Sequence, residues 1–302
     1  MDNYTQTTKD VVDERFKMNV GGIYYAHQPI YGYRTPYAAT SNISRYMVTK
    51  SILNALNQFN FSNFIDIGGA EGYTANIVKK LFAVPVKTTD LSENACKMAS
   101  KIFGIEGIPC DIHNLPFANE AFDAVLCSET IEHVTDYQKA IDELLRITKK
   151  VLVITVPHET PEIVAENIRN KVPHGHIHYF QTNTLDYLKE QGYKVEFEKT
   201  LSPLLVIPRV VAESFKKNNN KLPYRIYNLL TPLFKTIFGI KTANRLTNLD
   251  AKFTNWFSMY GGITFCIIKD PTSKKENSFN PINAEDFTDI KVKEYQTDIF
   301  KN

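Results

Sequence analysis

Phe64-Ile65-Asp66-Ile67-Gly68-Gly69-Ala70-Glu71-Gly72-Tyr73 decides the fold of this chain. A short apolar run of strand-forming residues ends in two glycines, and the helical stretch TANIVKKLF follows. Glycine lets a backbone take positive φ and pass close to a ligand. In open α/β sheets such strand-to-helix turns lie at the carboxyl ends of strands, where ligands bind. A glycine loop alone is weak evidence, because dinucleotide-binding folds use a related one.

Outward from this loop the same alternation repeats. VPVKTTD reads as a strand and is followed by a helix from Ser92 to Phe103. GIPCD, AFDAVLCSE and VLVITVP read as three more strands, with a helix from about Tyr137 to Lys149 before the last. Strands alternating with helices of this length indicate a parallel sheet covered on both faces. A helix TNTLDYLKEQ, closed by Gly192, and a strand YKVEFEKT come next, and GGITFCIIKD is the last strand expected. Upstream, the aromatic stretch from residue 20 to 45 is broken by Gly and Pro and reads as loop plus short helix, then a helix from about Ser41 to Gln58. The expected layout is an N-terminal helical and aromatic lid over 1–60, a main domain over 61–270 and a polar tail over 271–302.

Composition narrows the class. With 43% hydrophobic and 23% charged residues in 302, the chain can bury a sizeable core. Lys plus Arg total 35 against 33 for Asp plus Glu, so the surface is not uniformly basic as a general nucleic-acid binder's would be. The balance conceals one uneven segment. Residues 201–260, an expected helical insertion, hold nine Lys and Arg against only Glu213 and Asp250. Leu229, Leu230, Leu233, Phe234 and Ile237 recur there at helical spacing. Such a stripe packs on its own domain, lies on a membrane surface or meets phosphates. No stretch approaches the roughly 18 apolar residues of a membrane span, and the polar opening MDNYTQTTKD lacks a signal core. Cys96, Cys110, Cys127 and Cys266 show no CxxC spacing, which points to reduced thiols in a cytoplasmic protein.

Three acids follow the glycine loop. Asp90 ends the second strand, where a carboxylate can accept hydrogen bonds from both ribose hydroxyls of an adenosine. Asp111 follows the third strand, within reach of an adenine amino group, and Asp123 opens the fourth. A dehydrogenase would need GxGxxG; the spacing here is GGAEG.

In this combination the chain resembles the class I S-adenosylmethionine-dependent methyltransferases, over about Phe61 to Thr200. The resemblance rests on FIDIGGAEGY, TTDLSENA, CDIHNLPFANEAFDAVLCSETIEHV and VLVITVP. It implies a Rossmann-like seven-stranded α/β sheet with the last strand antiparallel, helices on both faces and a helical insertion as lid. Asp66, Gly68 and Gly72 would shape the methionine and ribose site. Asp90, with Leu91 beside it, would take the ribose, Asp111 and Ile112 the adenine, and Ser128 and Glu129 would sit beside the methyl group. Ala70 stands where the family has a glycine, which implies a slightly tighter pocket.

A second cluster is Glu129-Thr-Ile-Glu132-His133, followed by Pro173-His174-Gly-His176-Ile-His178-Tyr-Phe180. Carboxylates and imidazoles together can hold magnesium, manganese or a similar cation. The pattern is similar to the ExxEH…H element of small-RNA 3′-terminal 2′-O-methyltransferases, which implies Glu129, Glu132, His133 and His178 as metal ligands. Other methyltransferases of the class carry EHV and a His-x-x-x-Phe segment without metal, which selects His176 instead. His133, His178 and His176 are therefore the candidate bases. Tyr24, Tyr25, His27, Tyr31 and Tyr33 are candidates to line the cofactor mouth or stack on an acceptor. The expected activity is O-methylation of a small-molecule or sugar hydroxyl, with possible metal assistance. Methylation of RNA 3′ ends and a non-catalytic scaffold that binds S-adenosylmethionine are the alternatives.

Overall fold

The computed structural model describes residues 2–17, 19–20, 23–24, 43–202, 249–250, 252–254, 256, 260–276, 280–283 and 286. The basic insertion and the aromatic residues Tyr25, His27, Tyr31 and Tyr33 fall largely or wholly outside them.

Seven strands form the central sheet. β3 (Phe64–Ile67), β4 (Val86–Asp90), β5 (Glu106–Pro109), β6 (Phe122–Ser128) and β7 (Thr148–Pro157) run parallel. β9 (Gly262–Ile268) is antiparallel to β7, and β8 (Lys194–Thr200) pairs antiparallel with β9 at the edge. The order is β5-β4-β3-β6-β7-β9-β8. Asn19–Val20 and Ile23–Tyr24 make a separate two-stranded ribbon, β1 and β2. The chain leaves β3 toward β4 and β5, then returns to place β6 on the other side of β3. That reversal opens a crevice at the carboxyl edge beside β3.

Alternation along the strands divides the interior into two cores. Phe64, Ala124, Leu126, Val151 and Val153 point to one face, where α2 (Ile43–Leu56), α3 (Tyr73–Phe82) and α4 (Glu93–Phe103) supply Met47, Leu53, Ala75, Val78 and Ile102. Ile65, Ile67, Val125, Leu152 and Ile154 point to the other. There α5 (Tyr137–Ile147) packs through Ala140, Ile141 and Leu144. Both faces are covered, so the central strands are apolar at nearly every position. Local signals set the helix ends: Ser92 Oγ accepts from Ala95 N at the start of α4, and Asp136 from Lys139 N at the start of α5.

The structure departs from the sequence reading in four places. α2 belongs to the core and not to a lid, because Met47, Ile52, Leu53 and Leu56 are buried on the sheet. α1 (Asn3–Lys17) is a full helix in a stretch too polar to announce one. α6 (Pro161–Arg169) likewise forms in a segment read as irregular, with Pro161 in its first turn. The helix expected over TNTLDYLKEQ shrinks to α7 (Tyr187–Glu190); the residues before it form turns in which Thr184 Oγ1 accepts from Gln181 N.

Candidate active site

The loops after β3, β4, β5 and β6 converge at the carboxyl edge of the sheet. They form a cavity lined by Gly68, Ala70, Asp90, Leu91, Asp111, Ile112, His113, Glu129, His133 and His174. A smaller neighbouring cavity is lined by Asp66, Gly68, Gly69, Ala70, Glu71 and Ser128. Seven of the eight residues expected to bind the cofactor therefore meet here. The eighth, Gly72, lies buried under the loop with φ 76° and starts α3.

The glycine loop is tight for physical reasons. Gly68 has φ 72°, and a Cβ on it would collide with Thr130. Ala70 holds φ 51°, in the left-handed region that costs a side chain about 1 kcal/mol or more. It stays there because its N–H donates to Asp90 Oδ2 at 3.0 Å. Asp90 Oδ1 accepts from Ser92 N at 2.8 Å. Burial pushes the Asp90 carboxyl up to about 6, against the pull of these two N–H groups. Burial, with the neighbouring Asp90 charge, raises Asp66 to about 7. Asp66 Oδ1 is buried with no hydrogen-bond partner. An acceptor left bare in this way suits a donor or cation from a ligand. The pair thus fits the positively charged end of S-adenosylmethionine, and Asp90 fits its ribose.

Asp111 is partly engaged. His113 Nδ1 lies 2.6 Å from its Oδ1, which holds the Asp111 carboxyl below its ordinary range and raises His113. The His113 backbone N–H also donates there, so both of these contacts are to Oδ1. Asp123 stands at the opposite end of its strand from the pocket. It accepts from Ser62 N and Oγ and from Lys150 Nζ, and these bonds outweigh burial and lower its pKa. Its role is to tie β6 to the chain before β3.

The histidine end differs from the expected ligand set. Glu132, His133 and His176 bring one ligand atom each within 4.8 Å of one another. His133 Nε2 lies 3.7 Å from Glu132 Oε1, and its ring stacks on His174 at 3.9 Å. His133 Nδ1 lies 3.1 Å from Gly175 O, so Nδ1 carries the proton and Nε2 presents its lone pair. His176 Nδ1 is 2.8 Å from Glu159 Oε1. His178 is not in the cluster: its Nε2 donates to Val134 O at 2.7 Å, beside Tyr137. Glu129 is drawn away as well. With φ 52° its side chain turns back to accept from Thr155 Oγ1 at 3.2 Å. Ser128 Oγ shares that threonine hydroxyl at 2.7 Å.

One wall escaped the sequence reading. Thr5, Thr8, Val12 and Phe16 of α1 close the cavity from outside. Their spacing of three and four places them on one helical face. Only that periodicity, diluted by the polar residues between, could have disclosed it.

Residues 65–153 match the family described as methyltransferase domain. The chain is 31% identical over 117 residues to norajmaline N-methyltransferase of Rauvolfia serpentina, covering 35% of this chain and 40% of that protein. It thus spans well under half of that relative's length. The geranyl diphosphate C-methyltransferase of Streptomyces coelicolor, solved with Mg2+, geranyl diphosphate and S-adenosylhomocysteine, superposes with a TM-score of 0.52. That match has 14% identity and covers 89% of this chain and 99% of the other. The [4+2]-cyclase SpnF superposes with a TM-score of 0.51 at 14% identity, covering 88% and 93%. These two likenesses concern the fold, and their different chemistries show that the fold alone does not name a reaction.

Proposed function

We propose that this chain, whose fold is that of the class I S-adenosylmethionine-dependent methyltransferases, moves a methyl group from S-adenosylmethionine to a hydroxyl of a small molecule or sugar. The observation that carries the reading is one pocket with the Asp90 and Asp111 carboxylates at one end and an oriented imidazole at the other. Asp90 takes the ribose hydroxyls, Asp66 the charged amino group, and Asp111 with Ile112 the adenine. When bound, S-adenosylmethionine supplies a methyl group on a positively charged sulfur. The chain's own work is alignment and proton removal. His133 accepts the acceptor's proton at Nε2, because Nδ1 is committed to Gly175 O. Glu132, 3.7 Å away, stabilises the imidazolium that results.

The test uses methyl-labelled cofactor and a panel of hydroxyl and amine acceptors, with products read by mass spectrometry. Label on oxygen is expected, with turnover lost by about 100-fold or more in His133→Gln. Label found only on nitrogen or carbon, or full activity in His133→Gln, contradicts the reading.

A second reading rests on the Glu132, His133 and His176 cluster. Each imidazole has its other nitrogen held, one by a carbonyl and one by a carboxylate. That is the outer-shell pattern of metal-binding histidines. Two imidazoles and one carboxylate suit manganese or a similar ion better than magnesium. With Nδ1 of His133 held by Gly175 O, Nε2 would serve either as ligand or as base, not both. Activity that survives EDTA supports the base; activity lost to EDTA and restored by manganese supports the metal. The metal reading favours acceptors with adjacent hydroxyls, including the terminal ribose of RNA. No helix among the described residues is long and apolar enough to cross a membrane. All four cysteines are free, and on that ground we place the enzyme in the cytoplasm. Peripheral membrane contact through residues 201–260 stays a proposal from sequence.

A further inference from the structure

The loop that follows Asp111 is strapped to α5 along its length. Leu115 N donates to Glu143 Oε2 at 2.8 Å. Arg146 donates to the carbonyls of Leu115 and Phe117 at 2.9 and 2.7 Å while it pairs with Glu143. Those bonds hold the middle and the far part of the loop. At its near end the tie is one side chain, His113, which lines the cofactor cavity. Asp136 N, at the cap of α5, donates to His113 Nε2 at 3.3 Å. An Nε2 that accepts leaves the proton of a neutral ring on Nδ1. That Nδ1 lies 2.6 Å from Asp111 Oδ1, and His113 N donates to the same oxygen at 3.0 Å.

Among the described residues, His113 supplies both hydrogen bonds to the Asp111 side chain. Two donors on one oxygen fix the torsion of a carboxyl group. The same contact holds the Asp111 carboxyl below its ordinary range. Asp111 is therefore ionised at neutral pH and can only accept hydrogen bonds. Asp111 first, and Asp136 after it, raise His113 against burial and Lys139. In either charge state of the ring, Nδ1 remains the donor to Asp111. An accepting group here favours a base with an amino group at C6, as in adenine, and repels one with a carbonyl there.

We infer that His113 is a positioning residue for the cofactor's base: it joins Asp111 to α5, sets the carboxylate for an adenine amino group and so determines selectivity for adenine. This role rests on the cofactor assignment above. α5 is anchored on the sheet through Ala140, Ile141 and Leu144. The place of the carboxylate is thus passed from the core to the pocket through one imidazole. Without the ring, Asp111 keeps its charge but turns more freely. A carboxylate that turns can accept from the N1–H of hypoxanthine as well as from the amino group of adenine. Selectivity is then lost while binding is only weakened.

The test uses the full chain, titrated in calorimetry with S-adenosylhomocysteine and with its deaminated analogue, S-inosylhomocysteine. The wild-type protein should prefer S-adenosylhomocysteine by about 50-fold, the range of one hydrogen bond to a charged group. His113→Ala should weaken S-adenosylhomocysteine about tenfold and leave the analogue nearly unchanged, so that the preference falls to about fivefold. His113→Asn puts an amide nitrogen near the place of Nδ1 and should keep most of the preference. His113→Gln replaces only the bond from Asp136 N and should behave like the alanine variant. Arg146→Lys loosens the same loop without touching the Asp111 carboxylate. It should lower the melting temperature and weaken both ligands alike, with the preference unchanged. A wild-type preference in His113→Ala overturns the role, as does a preference kept by His113→Gln and lost by His113→Asn. An equal loss of preference in Arg146→Lys also overturns it, because His113 would then be ordinary loop packing. If the wild-type protein binds neither ligand, the cofactor assignment falls; if it binds both alike, the selectivity alone falls.

Discussion

The two ends of the pocket hold their polar groups in opposite ways. At the acid end, Asp66 is a buried carboxylate and Asp90 a half-buried one, and the pKa values of both are pushed upward. At the histidine end, His133 and His176 each have one ring nitrogen already paired. The first arrangement leaves charge waiting for a partner of opposite sign. The second fixes each ring and so the direction of its other nitrogen. A fixed ligand suits the first, and a proton or a metal suits the second. The division of labour in the proposed reaction follows from that difference.

The largest effect that could break this contrast is at Asp90. Asp90→Ala removes hydrogen bonds to a charged group, each of which is worth about 1.5–3 kcal/mol. Cofactor affinity should fall on the order of 100-fold in calorimetry with S-adenosylhomocysteine. Affinity within threefold of wild type would remove Asp90 from the ribose.

The next effect is in pH. Binding a cationic ligand favours the ionised carboxylates, so binding of S-adenosylmethionine should release protons below about pH 7. Affinity should rise as pH increases from 5 to 8, through the values of about 6 and about 7 at Asp90 and Asp66. The free protein should behave in the opposite sense. Its raised carboxyl pKa values mean that the folded state holds more protons than the unfolded one. Stability therefore falls as pH rises from about 4 through 7. A flat affinity profile together with a flat melting profile would show that neither carboxyl is perturbed.

At the histidine end, His176→Ala should weaken manganese binding by about 10-fold or more if the cluster is a metal site. The same change should leave S-adenosylhomocysteine affinity alone, because His176 does not line the cofactor cavity. Equal losses in both would merge the two ends into one site. The smallest effect is at the loop between them. Ala70→Gly relieves the left-handed strain and should raise the melting temperature by about 2–4 °C, corresponding to about 1 kcal/mol. A lower melting temperature would mean that Ala70's contact with Phe16 outweighs the strain.

The same contrast explains what sequence could disclose. The acid end lies at strand ends, and strands with period-two burial announce themselves. Asp66, Asp90 and Asp111 were therefore legible by position, and the buried strands around them were legible as apolar runs. Asp123 opens its strand in the structure as in the sequence, and so sits at the end away from the pocket. The histidine end depends on single backbone angles. Positive φ at Glu129 and His174 rotates one carboxylate away and one carbonyl inward. No composition or spacing encodes those turns, so sequence leaves His176 and His178 as alternatives, and the structure brings His176 to His133. α1 was hidden for a third reason: its inner face is Thr5, Thr8, Val12 and Phe16, only two of them apolar, in a polar helix, and only packing over the cavity gives them purpose.

Calorimetric titration of the wild-type protein with S-adenosylmethionine tests the central claim most directly. The account predicts saturable binding at one site per chain, with proton release below pH 7. No binding heat at millimolar ligand, at any pH between 5 and 8, would contradict it.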